Sequence, residues 1–237
     1  MKLHLYALLL FIVIFGFQRA TLAAVYTVDS LAALQERINQ AKPGDTIIIK
    51  DGTYTIERTI TVTCVGTKEQ PITLKAETVG GVTLQGAEGL SVRRGAAHVV
   101  ISGINFTHNA GKTHIAVGAQ HIRITRCTFA CQGRGASLTV SGDDIEIDYN
   151  LFRDKSRFGN MLSITGANGQ VARRVHIHHN HFRDFSRSTE PGETNDLEVI
   201  RFGLSGLSMS TGNGIVEYNL FERCVGENEL ISNKVQR

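Results

Sequence analysis

The chain has 237 residues, of which 42% are hydrophobic and 20% are charged, and it contains 24 glycines and no tryptophan. This composition is typical of a soluble globular protein and excludes an intrinsically disordered chain. The formal charge of +3 falls to +1 if Lys2 and Arg19 are left out. So small a charge excludes a polybasic nucleic-acid-binding protein, although a local site can still bind a polyanion.

Residues 1–23 have the pattern of a secretory signal peptide. Lys2 precedes an apolar run from Leu5 to Phe17, and small residues surround Ala23. The run is too short for a membrane-spanning helix, which disfavours the alternative of a membrane anchor. We therefore expect residues 24–237 to form a secreted or periplasmic monomer with no nucleic-acid partner and, once the signal is removed, no membrane partner.

Four cysteines, Cys64, Cys127, Cys131 and Cys224, are too few for a disulfide-rich scaffold in a chain of this length. The spacing of Cys127 and Cys131 does not fit a zinc-binding pair. We predict that Cys127 is a small buried hydrophobic side chain. The sequence leaves open a disulfide bond between Cys127 and Cys131.

A short strand pattern recurs along the body of the chain. In each copy β-branched residues alternate with polar ones, which is the period of a β-strand. The copies end at phenylalanines separated by 23, 23, 30 and 39 residues, namely Phe106, Phe129, Phe152, Phe182 and Phe221. A repeat of this length without helices predicts an all-β solenoid, and the preference for right-handed crossovers favours a right-handed parallel β-helix.

An asparagine stands two residues before three of these phenylalanines, at Asn150, Asn180 and Asn219, and Cys127 takes the same place in an earlier copy. A buried asparagine at the same turn of each coil can bond its stacked neighbours and satisfy the backbone there. We therefore predict a structural ladder at these positions and not a catalytic site.

The first open end of the solenoid is predicted to be covered by a short helix over residues 30–41. Ser30 or Asp29 can cap its start, and Pro43 follows its end. One face of this helix is apolar, with Leu31, Leu34 and Ile38. Residues 45–54 then have the pattern of a strand, a turn and a second strand.

No comparable cover follows the last strand pattern, which lies just before Arg237. An uncovered coil exposes backbone groups and promotes aggregation. We therefore expect the domain over 24–237 to be truncated at its C-terminal end. The longer repeats predict loops at 186–195 and 205–213.

Four oxygen-bearing residues stand out near the end of the chain: Asn195, Glu198, Glu227 and Glu229. Asn195 and Glu227 are one coil length apart, so the two pairs can lie on adjacent coils about 4.8 Å apart. Such a spacing suits calcium, whose oxygen ligands lie at about 2.3–2.6 Å. The alternative is a set of solvated acidic residues, and a bend is needed for Asn195 and Glu198 to share a face.

Lys234 follows Glu229 by five residues and would point to the opposite face of an unbroken strand. A turn or bulge at Ser232–Asn233 is therefore expected if Lys234 joins the acidic group. The alternative is an ordinary exposed lysine.

A cluster of four histidines occupies one coil, at His176, His178, His179 and His181. Two point to each face of a strand, so no single face gathers all four. This pattern favours surface display over a metal site.

Three segments together resemble a known family: PGDTIIIKDGTY, NDLEVIRFG and ENELISNK, with the coil repeat between the first two. They are similar to the alginate lyase and chondroitinase B family, polysaccharide lyase family six, over about residues 25–237. The resemblance implies a right-handed parallel β-helix. It implies a calcium ion bound by Asn195, Glu198, Glu227 and Glu229. It also implies that Lys234 is the base that abstracts a proton.

The activity implied by the resemblance is calcium-dependent β-elimination on a uronate-containing polysaccharide, with alginate favoured over dermatan or chondroitin sulfate. In the family an arginine in the coil after Lys234 protonates the leaving oxygen, and we expect that coil to lie beyond Arg237. The alternative function is a non-catalytic β-helix module that binds an acidic polysaccharide.

Overall fold

A computed structural model describes residues 23–188, 197–226 and 229–236. These residues form short strands that are stacked coil upon coil, with one α-helix and one short 3-10 helix, the latter over Ser205–Leu207. The elements, in chain order, are β1 (Val25–Val28), α1 (Leu31–Gln40), β2 (Thr46–Ile49), β3 (Gly52–Ile56), β4 (Ile60–Val62), β5 (Ile72–Ala76), β6 (Val82–Gly86), β7 (Leu90–Val92), β8 (Ala97–Ser102), β9 (Ile104–Phe106), β10 (His114–Ile115), β11 (Gln120–Thr125), β12 (Thr128–Phe129), β13 (Leu138–Val140), β14 (Asp143–Asp148), β15 (Leu151–Lys155), β16 (Leu162–Ile164), β17 (Gly166–Ala167), β18 (Gln170–Val171), β19 (His176–His178), β20 (His181–Ser186), β21 (Ile200–Phe202), β22 (Ile215–Glu217), β23 (Leu220–Val225) and β24 (Ile231–Asn233).

Three parallel sheets run along the solenoid; each of seven coils contributes one strand to each sheet, and β1 adds an eighth strand to the first sheet. Sheet A has eight strands, in the order β1-β2-β5-β8-β11-β14-β19-β22. Sheet B consists of β3, β6, β9, β12, β15, β20 and β23, and sheet C of β4, β7, β10, β13, β16, β21 and β24. The register repeats the sequence period, because Ile122 pairs with Val99 on one side and with Ile145 on the other. The predicted parallel β-helix is confirmed.

The predicted N-terminal cap is confirmed. Helix α1 begins after Ser30, whose hydroxyl accepts a hydrogen bond from the amide of Ala33 at 3.3 Å. Leu34 and Ile38 are each 1% exposed and pack on the first coil. The helix thus covers apolar side chains that would otherwise face water at the end of the stack.

The five phenylalanines stack in one column inside sheet B. Consecutive ring centroids are 4.8, 4.7, 4.8 and 5.2 Å apart from Phe106 to Phe221. Phe106, Phe129, Phe152 and Phe182 are no more than 1% exposed. Burying a side chain of this size stabilises the fold by about 1.5–3 kcal/mol, so this column is a main part of the core.

The asparagine ladder is also confirmed. Asn150 Nδ2 donates to Asn180 Oδ1 at 3.0 Å, and Asn180 Nδ2 donates to Asn219 Oδ1 at 3.0 Å. At the bottom of the ladder the amide of Cys127 donates to Asn150 Oδ1 at 2.9 Å. The ladder therefore satisfies backbone groups that the corner leaves outside the sheets.

A left-handed residue turns the chain from sheet A to sheet B in successive coils. Arg126, Tyr149, His179 and Tyr218 have φ between 52° and 54° at this corner. A left-handed conformation costs about 1–2 kcal/mol for a residue with a side chain. The asparagine ladder begins at the next residue after Tyr149, so its hydrogen bonds offset this cost where it arises.

The longer coils carry their additional residues between strands. In the coil of 30 residues the insertion is an antiparallel hairpin of β17 and β18, which the sequence does not predict. In the coil of 39 residues, the predicted loop at 205–213 contains the 3-10 helix. The other predicted loop, at 186–195, lies mostly outside the described residues.

All four cysteines are free, so the possible bond between Cys127 and Cys131 is not formed. Cys127 is 1% exposed, as predicted for a small hydrophobic side chain. Burial raises the pKa of the Cys127 and Cys131 thiols to about 12, so both are inert thiols at neutral pH.

The last described coil leaves apolar side chains in contact with solvent. Ile231 is 40% exposed, whereas its register partner Ile200 on the preceding coil is 0% exposed. Within the described part of the chain, no helix is long and apolar enough to cross a membrane. The predicted signal peptide at 1–23 lies almost wholly outside the described residues.

Candidate active site

Three coils of sheet C place polar residues at one position. Asn160, Glu198 and Glu229 each stand two residues before the strand of their coil, β16, β21 and β24 respectively. These strands are paired in register, Leu162 with Ile200 and Ile200 with Ile231. Continuing this register by two residues brings the three polar residues side by side at the N-terminal edge of sheet C.

Glu198 is the centre of this group. It is 1% exposed, and its backbone carbonyl and Oε2 accept hydrogen bonds from Asn160 Nδ2 at 2.9 and 3.0 Å. Lys234 Nζ lies 3.2 Å from Oε1. A buried carboxylate is costly unless it is paired and hydrogen-bonded, and here one amide and one ammonium group supply that compensation.

The Lys234 contact is an ion pair without hydrogen-bond alignment. Among the described residues, Glu198 Oε1 receives no hydrogen bond although it is buried. Oε1 can therefore bind a cation or accept a hydrogen bond from a further donor.

Lys234 reaches Glu198 because it continues the outward face of sheet C. Ser232 pairs with Arg201, and the Lys234 amide donates to the Phe202 carbonyl at 2.8 Å. Lys234 therefore shares the face of Ser232, two residues earlier. The expected turn at Ser232–Asn233 is wrong, because both residues lie in β24.

The change of face occurs before the strand instead. The chain bends at Met161, Val199 and Leu230, which occupy the same position on the three coils. The bend at Leu230 separates Glu229 from the regular alternation of β24, so Glu229 and Lys234 are not restricted to opposite faces. Because the same bend recurs on all three coils, Asn160, Glu198 and Glu229 all lie beside the outer face of sheet C.

Two of the predicted ligands, Asn195 and Glu227, lie outside the described residues. Glu198, Glu229 and Lys234 lie on the two adjacent coils expected for them, and Glu198 and Lys234 are in direct contact. The roles of the five residues remain predictions.

A row of further side chains continues from the site along the outer face of sheet C. Arg201 Nη2 donates to Ser163 Oγ at 3.2 Å, and His114 Nε2 lies 3.0 Å from Ser91 Oγ. The strand register places these side chains and Thr139 in one row, in the order Arg201, Ser163, Thr139, His114 and Ser91. Burial, with a smaller contribution from Arg93, lowers the pKa of His114, so this ring is neutral at pH 7.

Asn160, Ser163 and His114 are not among the residues predicted from the sequence. Aligning the sheet C strands, in addition to the phenylalanine segments of sheet B, would have placed them in register with Glu198 and Arg201. That alignment is weak in the sequence because these strands have only two or three residues.

The chain is similar over nearly its whole described length to one known protein family. The family model for Chondroitinase B matches residues 28–237. The chain belongs to the chondroitinase B family. The resemblance inferred from the sequence motifs is therefore confirmed, and no curated protein matches this family member.

Solved structures of polysaccharide lyase family 6 are similar to this chondroitinase B family member. One is a mannuronic acid specific family 6 lyase from human gut microbiota, with 26% identity and a TM-score of 0.73, over 90% of this chain and 51% of that one. Another is the alginate lyase AlyGC, with 26% identity and a TM-score of 0.69, over 89% of this chain and 30% of that one.

A third structure, an alginate lyase in complex with a trisaccharide, has 19% identity and a TM-score of 0.73, over 90% of this chain and 48% of that one. At this identity it supports the fold alone. The chain thus spans between 30% and 51% of the length of these three solved proteins.

Proposed function

We propose that this protein is a calcium-dependent polysaccharide lyase that cleaves a uronate-containing polymer by β-elimination. The observation that carries the proposal is the contact between the buried Glu198 carboxylate and the Lys234 amine, at 3.2 Å, in a chain of the chondroitinase B family. The substrate class we favour is alginate at mannuronate-containing sites, because a mannuronic acid specific lyase is among the similar structures.

The residues present fit a calcium ion. Glu198 Oε1 is buried without a hydrogen bond among the described residues, and Glu229 lies in register with it on the next coil. With Asn195 and Glu227, the donor set is made only of carboxylate and amide oxygens, which calcium prefers over nitrogen and sulfur ligands. A bound calcium ion would neutralise the uronate carboxylate and stabilise the charge that builds on it when C5 loses its proton.

The role we assign to Lys234 is that of general base. The amine accepts the C5 proton of the uronate at Nζ, for which it must be in its neutral form. Electrons from the C5–H bond form the C4–C5 double bond, and the C4–O bond breaks with its electron pair on the leaving oxygen, which then takes up a proton. Each cleavage leaves one unsaturated uronate at the new non-reducing end.

Other residues of the site orient these groups. Asn160 holds Glu198 through two hydrogen bonds from a single amide nitrogen, which keeps Oε1 directed towards Lys234. Arg201, in the row next to the site, can bind a uronate carboxylate in bidentate fashion. No described residue is assigned the protonation of the leaving oxygen.

The test is to incubate the full-length gene product with alginate, polymannuronate and dermatan sulfate in the presence of calcium. Cleavage is followed by the ultraviolet absorbance of the new C=C bond. We expect activity on polymannuronate, its loss on chelation, and its recovery when calcium is restored. Lys234→Met should lower the rate about 10²–10⁴-fold, the usual contribution of a general base.

The matched control is Lys50→Met, which removes an exposed lysine immediately after β2, far along the chain from the site. This variant should retain the wild-type rate. Activity that survives chelation would remove calcium from the proposal, and full activity of Lys234→Met would remove the base. Binding of polymannuronate without any product would favour the non-catalytic module.

We also infer that the protein is exported, to the periplasm or the medium, and acts as a monomer. The support for export is the pattern of residues 1–23, with a basic start, an apolar run and small residues at the end. Export is consistent with a polymeric substrate, which does not enter cells intact.

A further inference from the structure

A second row of residues runs along the outer face of sheet C, beside the row that contains Arg201 and His114. Each member directly follows a strand of sheet C, and its amide donates to the last carbonyl of the paired strand on the preceding coil at 2.7–2.9 Å. The members, in order along the solenoid, are Lys234, Gly203, Thr165, Ser141, Ala116 and Arg93. This Lys234–Arg93 row therefore joins the proposed base to an arginine across five coil steps.

The side chains between the two ends of the Lys234–Arg93 row are small. The four residues there are a glycine, a threonine, a serine and an alanine. Val92 and Ile115, which precede two members of the row, are 0% and 1% exposed, so the members themselves belong to the outer face. With no bulky side chain between Lys234 and Arg93, the row forms a low floor along the solenoid.

Two insertions border this floor near Lys234. The hairpin of β17 and β18 directly follows Thr165, and the loop over 204–213 directly follows Gly203. The insertions pack on each other, since Gln170 Nε2 donates to the Thr211 carbonyl at 3.1 Å. On the coils nearer to Arg93, short turns lead instead into β8, β11 and β14. The floor is thus bordered beside the proposed base and open towards Arg93.

The outer face of sheet C also differs from those of the other sheets in its charges. On sheet A the guanidinium of Arg123 is held by Asp148, and on sheet B that of Arg223 lies 2.6 Å from Asp184. Among the described residues of the two rows on sheet C, none carries a carboxylate, and three carry a positive charge: Arg93, Arg201 and Lys234. This face is therefore suited to a polyanion that lies along it.

The end of the floor at Arg93 offers groups that can bind a sugar acid. Arg93 is exposed, and a guanidinium can bind a carboxylate in bidentate fashion. His114, on which the charge of Arg93 acts, is a neutral ring held 3.0 Å from the hydroxyl of Ser91, which is 0% exposed. A neutral imidazole fixed in this way can hydrogen-bond a sugar hydroxyl beside the carboxylate.

We propose that one extended uronate chain lies along the Lys234–Arg93 row, parallel to the solenoid axis, and that Arg93 binds one of its carboxylates at a distal subsite. A 1,4-linked pyranose advances its chain by a length close to the coil spacing of about 4.8 Å, so the five coil steps hold about five sugar residues. This inference rests on the proposed lyase function and adds to it a preference for long chains over short oligosaccharides.

The experiment compares trimannuronate, which is too short to reach from Lys234 to Arg93, with octamannuronate, which spans the row. Cleavage by the full-length gene product is followed, with calcium present, by the absorbance of the new C=C bond. A contact remote from the reacting bond binds substrate and transition state alike. Arg93→Gln should therefore raise KM for octamannuronate at least tenfold, with the effect in KM and not in kcat. The ratio of kcat/KM for the octamer to that for the trimer should fall by the same factor.

The matched control is Arg126→Gln, which removes an exposed guanidinium 5.5 Å from the Tyr149 ring at the corner between sheets A and B. It should change the octamer-to-trimer ratio less than twofold. A second variant, Ser141→Phe, places a ring in the middle of the floor and should lower the same ratio. This variant decides the question if Arg93→Gln fails to fold, as judged by circular dichroism.

Calorimetric titration with octamannuronate separates this inference from the lyase reaction. We expect Arg93→Gln to weaken binding at least tenfold in the Lys234→Met background. Cleavage with an unchanged octamer-to-trimer ratio in Arg93→Gln, or an equal loss in Arg126→Gln, would overturn the distal subsite and leave the lyase proposal intact. Absence of cleavage together with the tenfold loss of binding would overturn the lyase reaction and support the subsite. Absence of octamannuronate binding by the wild type would overturn both.

Discussion

A buried lysine in the core of the solenoid allows a quantitative prediction about stability. Lys155 is the last residue of β15, is 1% exposed, and lies in register with the buried Phe185 on the next coil. Its ammonium group donates to the Gly133 carbonyl at 3.3 Å. The nearby Cys131 thiol, with a pKa raised to about 12 by burial, supplies no negative charge at neutral pH.

Burial lowers the pKa of Lys155 from its ordinary 10.5 to about 8. One pKa unit corresponds to about 1.4 kcal/mol, so the charged lysine costs the folded state about 3 kcal/mol below pH 8. Between pH 8 and 10.5 the unfolded chain binds more protons at this residue than the folded chain does. Lys155 therefore makes the free energy of unfolding rise as the pH increases from 8 to 10.5.

Replacing Lys155 with methionine removes the charge and retains the length of the side chain. We expect Lys155→Met to be about 3 kcal/mol more stable than the wild type at pH 7, and about 1 kcal/mol more stable at pH 10, because the wild type has then lost most of its penalty. Urea denaturation of both proteins at the two pH values measures this difference. Other titrating groups cancel because they are common to both.

Lys50→Met serves as the control, since Lys50 is exposed and its replacement should change the free energy of unfolding by less than about 0.5 kcal/mol. If Lys155→Met is no more stable than the wild type at pH 7, the buried ammonium group does not destabilise the folded state. If the stability difference does not shrink as the pH rises, the difference does not come from the titration of Lys155.

Three further predictions concern the core and the candidate site. Phe129→Ala should lower the free energy of unfolding by about 3–5 kcal/mol in urea denaturation, because the side chain is fully buried between the rings of Phe106 and Phe152. A loss below about 1 kcal/mol would contradict this packing. Asn150→Ala should lower the free energy of unfolding by about 1–3 kcal/mol for each backbone group left unpaired, chiefly the Cys127 amide. Unchanged protection of that amide in hydrogen exchange would count against the ladder. Asn160→Ala should weaken calcium binding about 10–100-fold in calorimetry because Glu198 loses its orienting donor, and wild-type affinity would show that the amide has no such role.

Much of the solenoid could be predicted because its signals are local. The alternation of β-branched and polar residues in 122–125 or 145–148 reports a strand by itself, and the return of a phenylalanine after 23 residues reports the stacked coil. The capping helix was equally readable, since Ser30 and the apolar face with Leu34 and Ile38 lie within one short segment.

The candidate site was predicted only in part, because its contacts join residues far apart in the chain. Asn160 and Glu198 are brought together by the register between two coils that differ in length through their loops. The position of the bend at Leu230, one residue after Glu229, also depends on how β24 pairs with β21. Neither loop length nor strand pairing can be read from the residues near Lys234.

The amino-acid sequence alone determined that the chain forms stacked coils, where the phenylalanine and asparagine columns run, and which family motifs it carries. Each of these depends on periodicity and residue type within one repeat. The tertiary structure alone decided that Glu198 is buried beside Lys234, that Lys155 lies inside the core, and that the imidazoles of β19 meet carboxylates on both neighbouring strands. These arrangements follow from the register between coils, which is set by the packing of the whole interior.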